Sequence, residues 1–178
     1  MQGKLVRLRG LEKSDADAML RWASDEDVVR WHGPPDWPAT RAQQERYIER
    51  MAEADSADKA FAIATLDGKL VGDCGLRKID WKSRKAEFFI TIGEKQFWDK
   101  GFATETLKLV SSLAFDKMNL NRLWLTALID NPRAVRCYEK CGFVREGLLR
   151  QESYVDGKYR DVLMMALLRE DHDRNRGA

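Results

Sequence analysis

The 178-residue chain carries 31 lysine and arginine residues against 29 aspartate and glutamate residues, which leaves a formal net charge of +2. A charge this well balanced gives no reason to expect binding to nucleic acid or to an anionic membrane. The apolar runs are too short to span a bilayer, and the N-terminal segment MQGKLVRLRG lacks the apolar core of a signal peptide. Cys137 and Cys141, four residues apart, could form half of a metal site, but no second Cys/His pair follows them, so no metal is expected. We therefore predict one cytoplasmic domain over 1–178, with a core at about 4–169 and a short polar tail at 170–178.

In chain order, alternating apolar and polar residues and tight-turn signals predict seven strands, at 4–11, 59–66, 69–80, 85–92, 122–129, 144–155 and 158–168. Asp-Gly pairs at 67–68 and 156–157 mark two hairpins. Capping residues and apolar periodicity predict a helix that is capped at 14–15 and runs to 22–23, and helical segments at 25–31 and 41–54 on either side of a prolyl loop at 32–40. A further helix is predicted to begin near residue 101, and a short one to follow residue 131 and end near residue 142. This order of elements predicts a mixed α/β domain built around one central sheet.

Gly101 stands just before the helix that follows the fourth strand, although glycine is a poor helix former. The first-turn amides of a helix have no carbonyl partners and the helix dipole adds positive charge, so a strand–turn–helix junction can bind an anion. Without a Cβ at residue 101, a phosphate can approach the amides of 100–103 closely, and Lys100 can add a charge. The alternative is an ordinary turn glycine ahead of a core helix. Neither the Walker A nor the Rossmann pattern is present.

A second motif lies at NPRAVRCYEKCGF, in which Asn131 precedes a helix that carries Tyr138. With WDKGFA at this spacing, it resembles the GCN5-related N-acetyltransferase (GNAT) family over essentially the whole chain. The resemblance is strongest to the branch of ribosomal-protein N-terminal acetyltransferases and spermidine acetyltransferases. Trp98 stands where the family usually has Gln or Arg, and the backbone amides remain available for phosphate. The resemblance implies the single-domain acyl-CoA N-acyltransferase fold, with a sheet of about seven strands, one splayed strand pair and about four flanking helices.

The same resemblance implies that acetyl-CoA is the co-substrate and that an amine attacks its thioester directly. The pantetheine arm is expected along the edge of the fourth strand and the pyrophosphate on the amides of 98–104, while the Ile92 amide donates to the thioester oxygen. The residues expected to bind acetyl-CoA are Ile90, Thr91, Ile92, Trp98, Asp99, Lys100, Gly101, Phe102, Ala103, Thr104 and Asn131. The alternative role of Asn131 is a simple helix cap.

Two side chains are expected to act in catalysis. Glu87 is the candidate base, working through a water, because an alkyl amine is protonated at neutral pH and cannot attack. Its alternative role is an ion pair with Arg84 or Lys85. Tyr138 is the candidate acid for the departing CoA thiolate, and its alternative role is that of a core tyrosine.

The acceptor pocket is expected to have Trp31, His32 and Trp37 as its walls. The sequence leaves the acceptor open between a peptide or protein N-terminus and a small amine, such as a polyamine or an aminoglycoside. A non-catalytic sensor that binds acetyl-CoA is a further alternative. The strands at the C-terminus could also support a homodimer.

Overall fold

The computed structural model describes residues 1–31, 37–53 and 57–177, with the side chains of 176 and 177 excepted. Its strands are β1 Val6–Arg9, β2 Lys59–Thr65, β3 Leu70–Asp80, β4 Lys85–Ile92, β5 Arg122–Leu128, β6 Val144–Val155 and β7 Lys158–Leu168. Its α-helices are α1 Ala16–Ala23, α2 Glu26–Val29, α3 Arg41–Ala52, α4 Phe102–Ser112, α5 Pro132–Lys140 and α6 Arg169–Gly177. None of these helices combines the length and the apolar composition needed to traverse a bilayer.

The seven strands form one mixed sheet in the order β1-β2-β3-β4-β5-β7-β6, in which only β4 and β5 run parallel. The predicted fold class is confirmed. One element differs from the sequence prediction. The described residues form six α-helices, five at the predicted helical segments and a sixth, α6, at the C-terminal end of β7. The segment predicted as a short polar tail is helical from Arg169, and the buried His172 ring packs 4.9 Å from the ring of Phe115.

The two faces of the sheet pack against different groups of helices. On one face, buried side chains of α4 and α5 join the main core, among them Leu107, Val110 and Val135. On the other face, α1, α2 and α3 form a second apolar cluster. Trp22 of α1 lies so close to the end of β4 that a Cβ on Gly93 would be 2.0 Å from its ring. Glycine at position 93 therefore allows α1 to seat against this end of the sheet.

Strands β4 and β5 separate after three register pairs, of which Glu87↔Trp124 is the last. β4 nevertheless continues to Ile92 and β5 to Leu128. The carbonyl of Arg84 accepts from the amide of Arg122, the first residue of β5, and from that of Asn121 just before it. Because backbone groups alternate along a strand, the amides and carbonyls of Phe88, Ile90 and Ile92 point to the same side, into the gap. The splayed strand pair is thus present, with its open edge on β4.

Candidate active site

The gap between β4 and β5 opens into a cavity of about 750 Å³, a volume typical of small-molecule sites. The described residues around it come from β4, the turn before α4, the first turn of α4, β5, α5 and the β6–β7 hairpin, and also from α2 and the end of β3. Both predicted motifs therefore face one space.

The turn before α4 has the backbone geometry that its glycine predicted. Gly101 adopts φ +85° and ψ −5°, in the left-handed region, where an L side chain costs about 1–2 kcal/mol. It is the N-cap of α4, and its carbonyl accepts from the Glu105 amide at 2.9 Å. Phe102, Ala103 and Thr104, which begin the helix, line the cavity together with Gly101. Their amides belong to the helix turn that lacks intrahelical carbonyl partners.

Trp98 connects three parts of the site. Its indole Nε1 donates to the carbonyl of Ile92 at 2.6 Å, which links the turn to the open edge of β4. The guanidinium of Arg133, from the first turn of α5, stacks 3.9 Å from the centre of the indole ring. A cation over the face of a tryptophan is attracted to the ring's negative face. The tryptophan thus holds an arginine beside the turn before α4, where the family usually has a polar side chain at position 98.

Helix α5 presents three cations to the cavity, Arg133, Arg136 and Lys140. They recur at spacings of three and four residues, which places them along one face of the helix. The start of the helix is fixed by Asn131, whose Oδ1 accepts from the amide of Ala134 at 3.1 Å. Asn131 is buried and also lines the cavity. The observed cap matches the alternative role considered for this residue.

The cysteines of α5 join it to α4. Sγ of Cys137 lies 3.3 Å from Oγ1 of Thr104, and Sγ of Cys141 donates to the Thr104 carbonyl at 3.6 Å. These contacts set the α4 turn against α5. Tyr138 lies between the two cysteines in sequence and lines the cavity. Burial, followed by the neighbouring cysteines, raises the pKa of its phenol, so the hydroxyl stays protonated through the neutral range.

Glu87 marks the apex of the gap and is almost fully buried, at 2% exposure. It pairs with Arg77 at 2.7 Å and with Lys78 at 2.8 Å, whereas its expected partners were Arg84 and Lys85. Burial acts to raise the pKa of Glu87, but the hydrogen bonds from Arg77 and Lys78 outweigh it, so the pKa lies below its usual value. The carboxylate is therefore ionised and neutralised within the protein.

Most residues expected to bind acetyl-CoA line this cavity, with two exceptions. Thr91 borders a second cavity on the opposite face of β4, because successive side chains of a strand alternate. Lys100 is exposed and is not among the described residues that line the cavity. Of the acceptor residues, Trp31 lines the cavity, whereas Trp37 is 77% exposed and borders neither cavity. His32 lies outside the described residues.

Several lining residues were not predicted from the sequence. The basic face of α5 is one such set, and the spacing of Arg133, Arg136 and Lys140 was the signal that could have found it. Another set lies across the gap, where Lys78 sits 5.1 Å from the centre of the Trp124 ring. No sequence pattern predicted that contact, because the β3 and β5 residues involved come together only through the sheet.

A model of the acetyltransferase (GNAT) domain matches residues 6–144. The chain belongs to this family. It is an acetyl-CoA-dependent N-acetyltransferase, so acetyl-CoA is its acetyl donor. Among the described residues, ligand atoms of Asp116, His172 and Asp173 lie within 4.8 Å of one another, but none of the three lines the cavity.

Relatives of the acetyltransferase match it along most of its length. Spermidine N(1)-acetyltransferase of Vibrio cholerae is 29% identical over 167 residues, covering 94% of this chain and 95% of the relative. The crystal structure of the Vibrio cholerae spermidine N-acetyltransferase in complex with CoA and spermine superposes with a TM-score of 0.87, at 28% identity, and covers 96% of this chain and 99% of its own. A putative ribosomal N-acetyltransferase of Bacillus subtilis is 33% identical over 105 residues, which are 59% of this chain and 57% of the relative.

Proposed function

We propose that the enzyme acetylates a primary amino group of a polyamine of the spermidine type. The observation that carries this proposal is the match, over 94% or more of the chain, to spermidine acetyltransferases, one of them in a structure with spermine. The sequence left the acceptor open between a small amine and a peptide or protein N-terminus, and the N-terminus is the second candidate. It is favoured by the 33% identity to a putative ribosomal N-acetyltransferase, which extends over a shorter part of the chain.

The donor side of the cavity suits the phosphates of CoA. The amides at the start of α4 would receive the pyrophosphate, since Gly101 lets an anion approach them without a Cβ. Arg133, held on Trp98, would add a side-chain cation, and Arg136 and Lys140 extend the positive face along α5. Arg133 would thus make the phosphate contact that a polar residue at position 98 would otherwise make.

The open edge of β4 would bind the pantetheine arm as an added strand does. Ile90 and Ile92 direct their backbone groups into the gap, while the Ile92 carbonyl is already occupied by the Trp98 indole. The Ile92 amide therefore remains the donor for the thioester oxygen as charge develops on it. A preorganised donor of this type contributes about 3–4 kcal/mol to stabilisation of the transition state.

Tyr138 would donate a hydrogen bond to the sulfur as the thiolate departs. Its raised pKa keeps the phenol protonated but lowers the driving force for full proton transfer, so hydrogen bonding to the sulfur is the contribution we assign to it. Direct attack of the amine needs no covalent enzyme intermediate, because the site holds both reactants in one orientation.

The role of Glu87 as the general base stays a prediction. A general base works best when its pKa lies near the operating pH, and the two cations beside Glu87 move its pKa the other way. Its ion pairs instead correspond to the structural alternative, with Arg77 and Lys78 as the partners.

A panel of amines with acetyl-CoA, read by mass spectrometry of the products, tests the proposed acceptor. The panel contains spermidine, spermine, diamines, an aminoglycoside and peptides with free N-termini. We expect singly acetylated spermidine as the main product. Acetylation of peptides alone would move the assignment to the second candidate, and CoA binding without acetylation of any amine would favour the sensor.

We also propose a homodimer, formed through β6. This strand is the last in the sheet, is exposed over most of its length and presents Val144 and Leu148 to solvent. An unpaired edge of this kind is a ready template for pairing with a second chain. Light scattering coupled to gel filtration would give twice the chain mass.

We place the enzyme in the cytoplasm, since its three cysteines are free thiols.

A further inference from the structure

A second cavity of about 470 Å³ lies on the face of the sheet that α1, α2 and α3 cover. Its walls are mainly apolar and aromatic, with Met19 and Trp22 from α1, Tyr47 and Met51 from α3, and Phe89 from β4. Four residues, Val28, Arg77, Phe89 and Ile90, border both this cavity and the main one, so the two spaces are neighbours across β4.

A carboxylate is buried in the wall of this second cavity. Asp73 lies within β3, at 9% exposure, and borders the cavity. The hydroxyls of Thr91 and Tyr47 donate hydrogen bonds to it. Burial raises the pKa of Asp73 to about 6, so the group is ionised at neutral pH at a cost to the fold. The aromatic rings around it are a favourable setting for a cation.

The position of Asp73 relative to the gap limits which nitrogen it can bind. Its register partner on β4 is Thr91, and the neighbours Ile90 and Ile92 face the gap. Adjacent strands lie about 5 Å apart, so a nitrogen held by Asp73 stands several ångströms from a thioester in the gap. Three or four methylene groups bridge such a separation, as they do between the nitrogens of spermidine.

We propose that the second cavity is the acceptor pocket and that Asp73 binds the ammonium group next to the reacting amine of a diamine or polyamine. This inference rests on the proposed function and deepens it by naming a specificity-determining residue. Tyr47 and Thr91 orient the carboxylate, and the aromatic wall contacts the methylene chain and the cation.

The other charged groups at this cavity are Asp58, Arg50 and Arg77. Arg77 is already paired with Glu87 at 2.7 Å, and Glu87 is also paired with Lys78 at 2.8 Å. Arg50 lies 5.9 Å from the centre of the Tyr47 ring. The cavity therefore presents an acid in its wall and an arginine beside it, which suits a single ammonium group better than a long run of positive charges.

Steady-state kinetics of Asp73→Asn with 1,4-diaminobutane and with butylamine test the proposal. These amines share a chain length and differ in the second ammonium group. Loss of a charged hydrogen bond should raise KM for the diamine by about 10-fold or more. KM for butylamine and for acetyl-CoA should stay within about twofold of the wild-type values, because neither uses the ionised carboxylate. Tyr47→Phe should raise KM for the diamine by a smaller factor. Asp17→Asn, a matched charge loss on the exposed face of α1, should leave all three constants unchanged.

Calorimetric titration of 1,4-diaminobutane into the CoA-loaded protein supplies a readout that does not depend on turnover. Binding to wild type that weakens in Asp73→Asn supports the proposal. Equal KM changes for butylamine and the diamine, or no change for either, would overturn it while the proposed function stands. Acetylation of peptides with no binding of the diamine would overturn both. Weaker CoA binding in Asp73→Asn would show a structural role instead.

Discussion

Replacing Asp73 by asparagine removes a buried charge while keeping the shape of the side chain. A carboxyl whose folded pKa lies above its unfolded value stabilises the protein only while it is protonated, and this stability is lost as the pH rises from 3.8 to about 6. That difference corresponds to about 3 kcal/mol at pH 7.5. The amide of asparagine needs an additional acceptor, which costs about 1–3 kcal/mol independently of pH. The pH dependence of the stability difference therefore separates the effect of the removed charge from the effect of the changed hydrogen bonds.

Urea denaturation of Asp73→Asn and wild type at two pH values measures this difference. Between about pH 4.5 and 7.5, the free energy of unfolding of the variant relative to wild type should rise by about 2 kcal/mol. For a chain of this size, that is a relative change in Tm of about 4–8 °C. A flat difference across this range would refute the assignment of Asp73 as a buried, ionised group at neutral pH.

Asp15→Asn is the matched control. Asp15 is also buried, but it accepts hydrogen bonds from Arg9 and from the Glu12 amide. Burial acts to raise the pKa of Asp15, yet these bonds outweigh it and the pKa is lowered. Stability from such a group is present above the unfolded pKa, so Asp15→Asn should be less stable than wild type by an amount that changes little between about pH 4.5 and 7.5.

Three further substitutions test the main cavity. Gly101→Val should raise KM for acetyl-CoA by about 10-fold or more. Gly68→Val is the control, because residue 68 has φ +94° at a hairpin turn and carries similar backbone strain, and it should leave this KM unchanged. The same KM for acetyl-CoA in both variants would rule out a phosphate-binding role for residue 101. Tyr138→Phe should lower kcat by about 100-fold with CoA affinity preserved in a calorimetric titration, and unchanged turnover would exclude the phenol as a donor. Glu87→Gln should lower kcat and remove the acidic limb of the pH–rate profile if Glu87 is the base; an unchanged profile with lower thermal stability would assign it to the ion pairs.

The sequence predicted what depends on local pattern. The strands were predicted from the alternation of apolar and polar residues and from the Asp-Gly turns. The unusual turn at Gly101 was predicted because glycine, a poor helix former, stands at the start of a helix. These features are set by backbone conformation within a few residues, and the resemblance to the family placed one strand of the splayed pair, the fourth, correctly. The left-handed turn at Gly101 was therefore visible before the fold was known.

What the sequence did not predict depends on packing between distant segments. Asp73, inside the apolar run LVGDCGL, has no sequence signal of burial, because α1 and α3 cover it only in the folded chain. The partners of Glu87 depend on an irregular register between Arg77 and Asp80, where Lys78 adopts φ +52°. This bulge lets two consecutive side chains reach one carboxylate, which a regular strand would not allow. The polar α6 gave no apolar stripe to mark it as a helix.

A crystal structure of the protein with CoA tests the proposed site most directly. The pyrophosphate should lie on the amides of 101–104, within hydrogen-bonding distance of the Arg133 side chain. The pantetheine arm should run along the open edge of β4, with an amide paired to the backbone of Ile90. CoA bound away from the α4 turn, or a gap between β4 and β5 closed by pairing beyond Glu87, would contradict the proposed site.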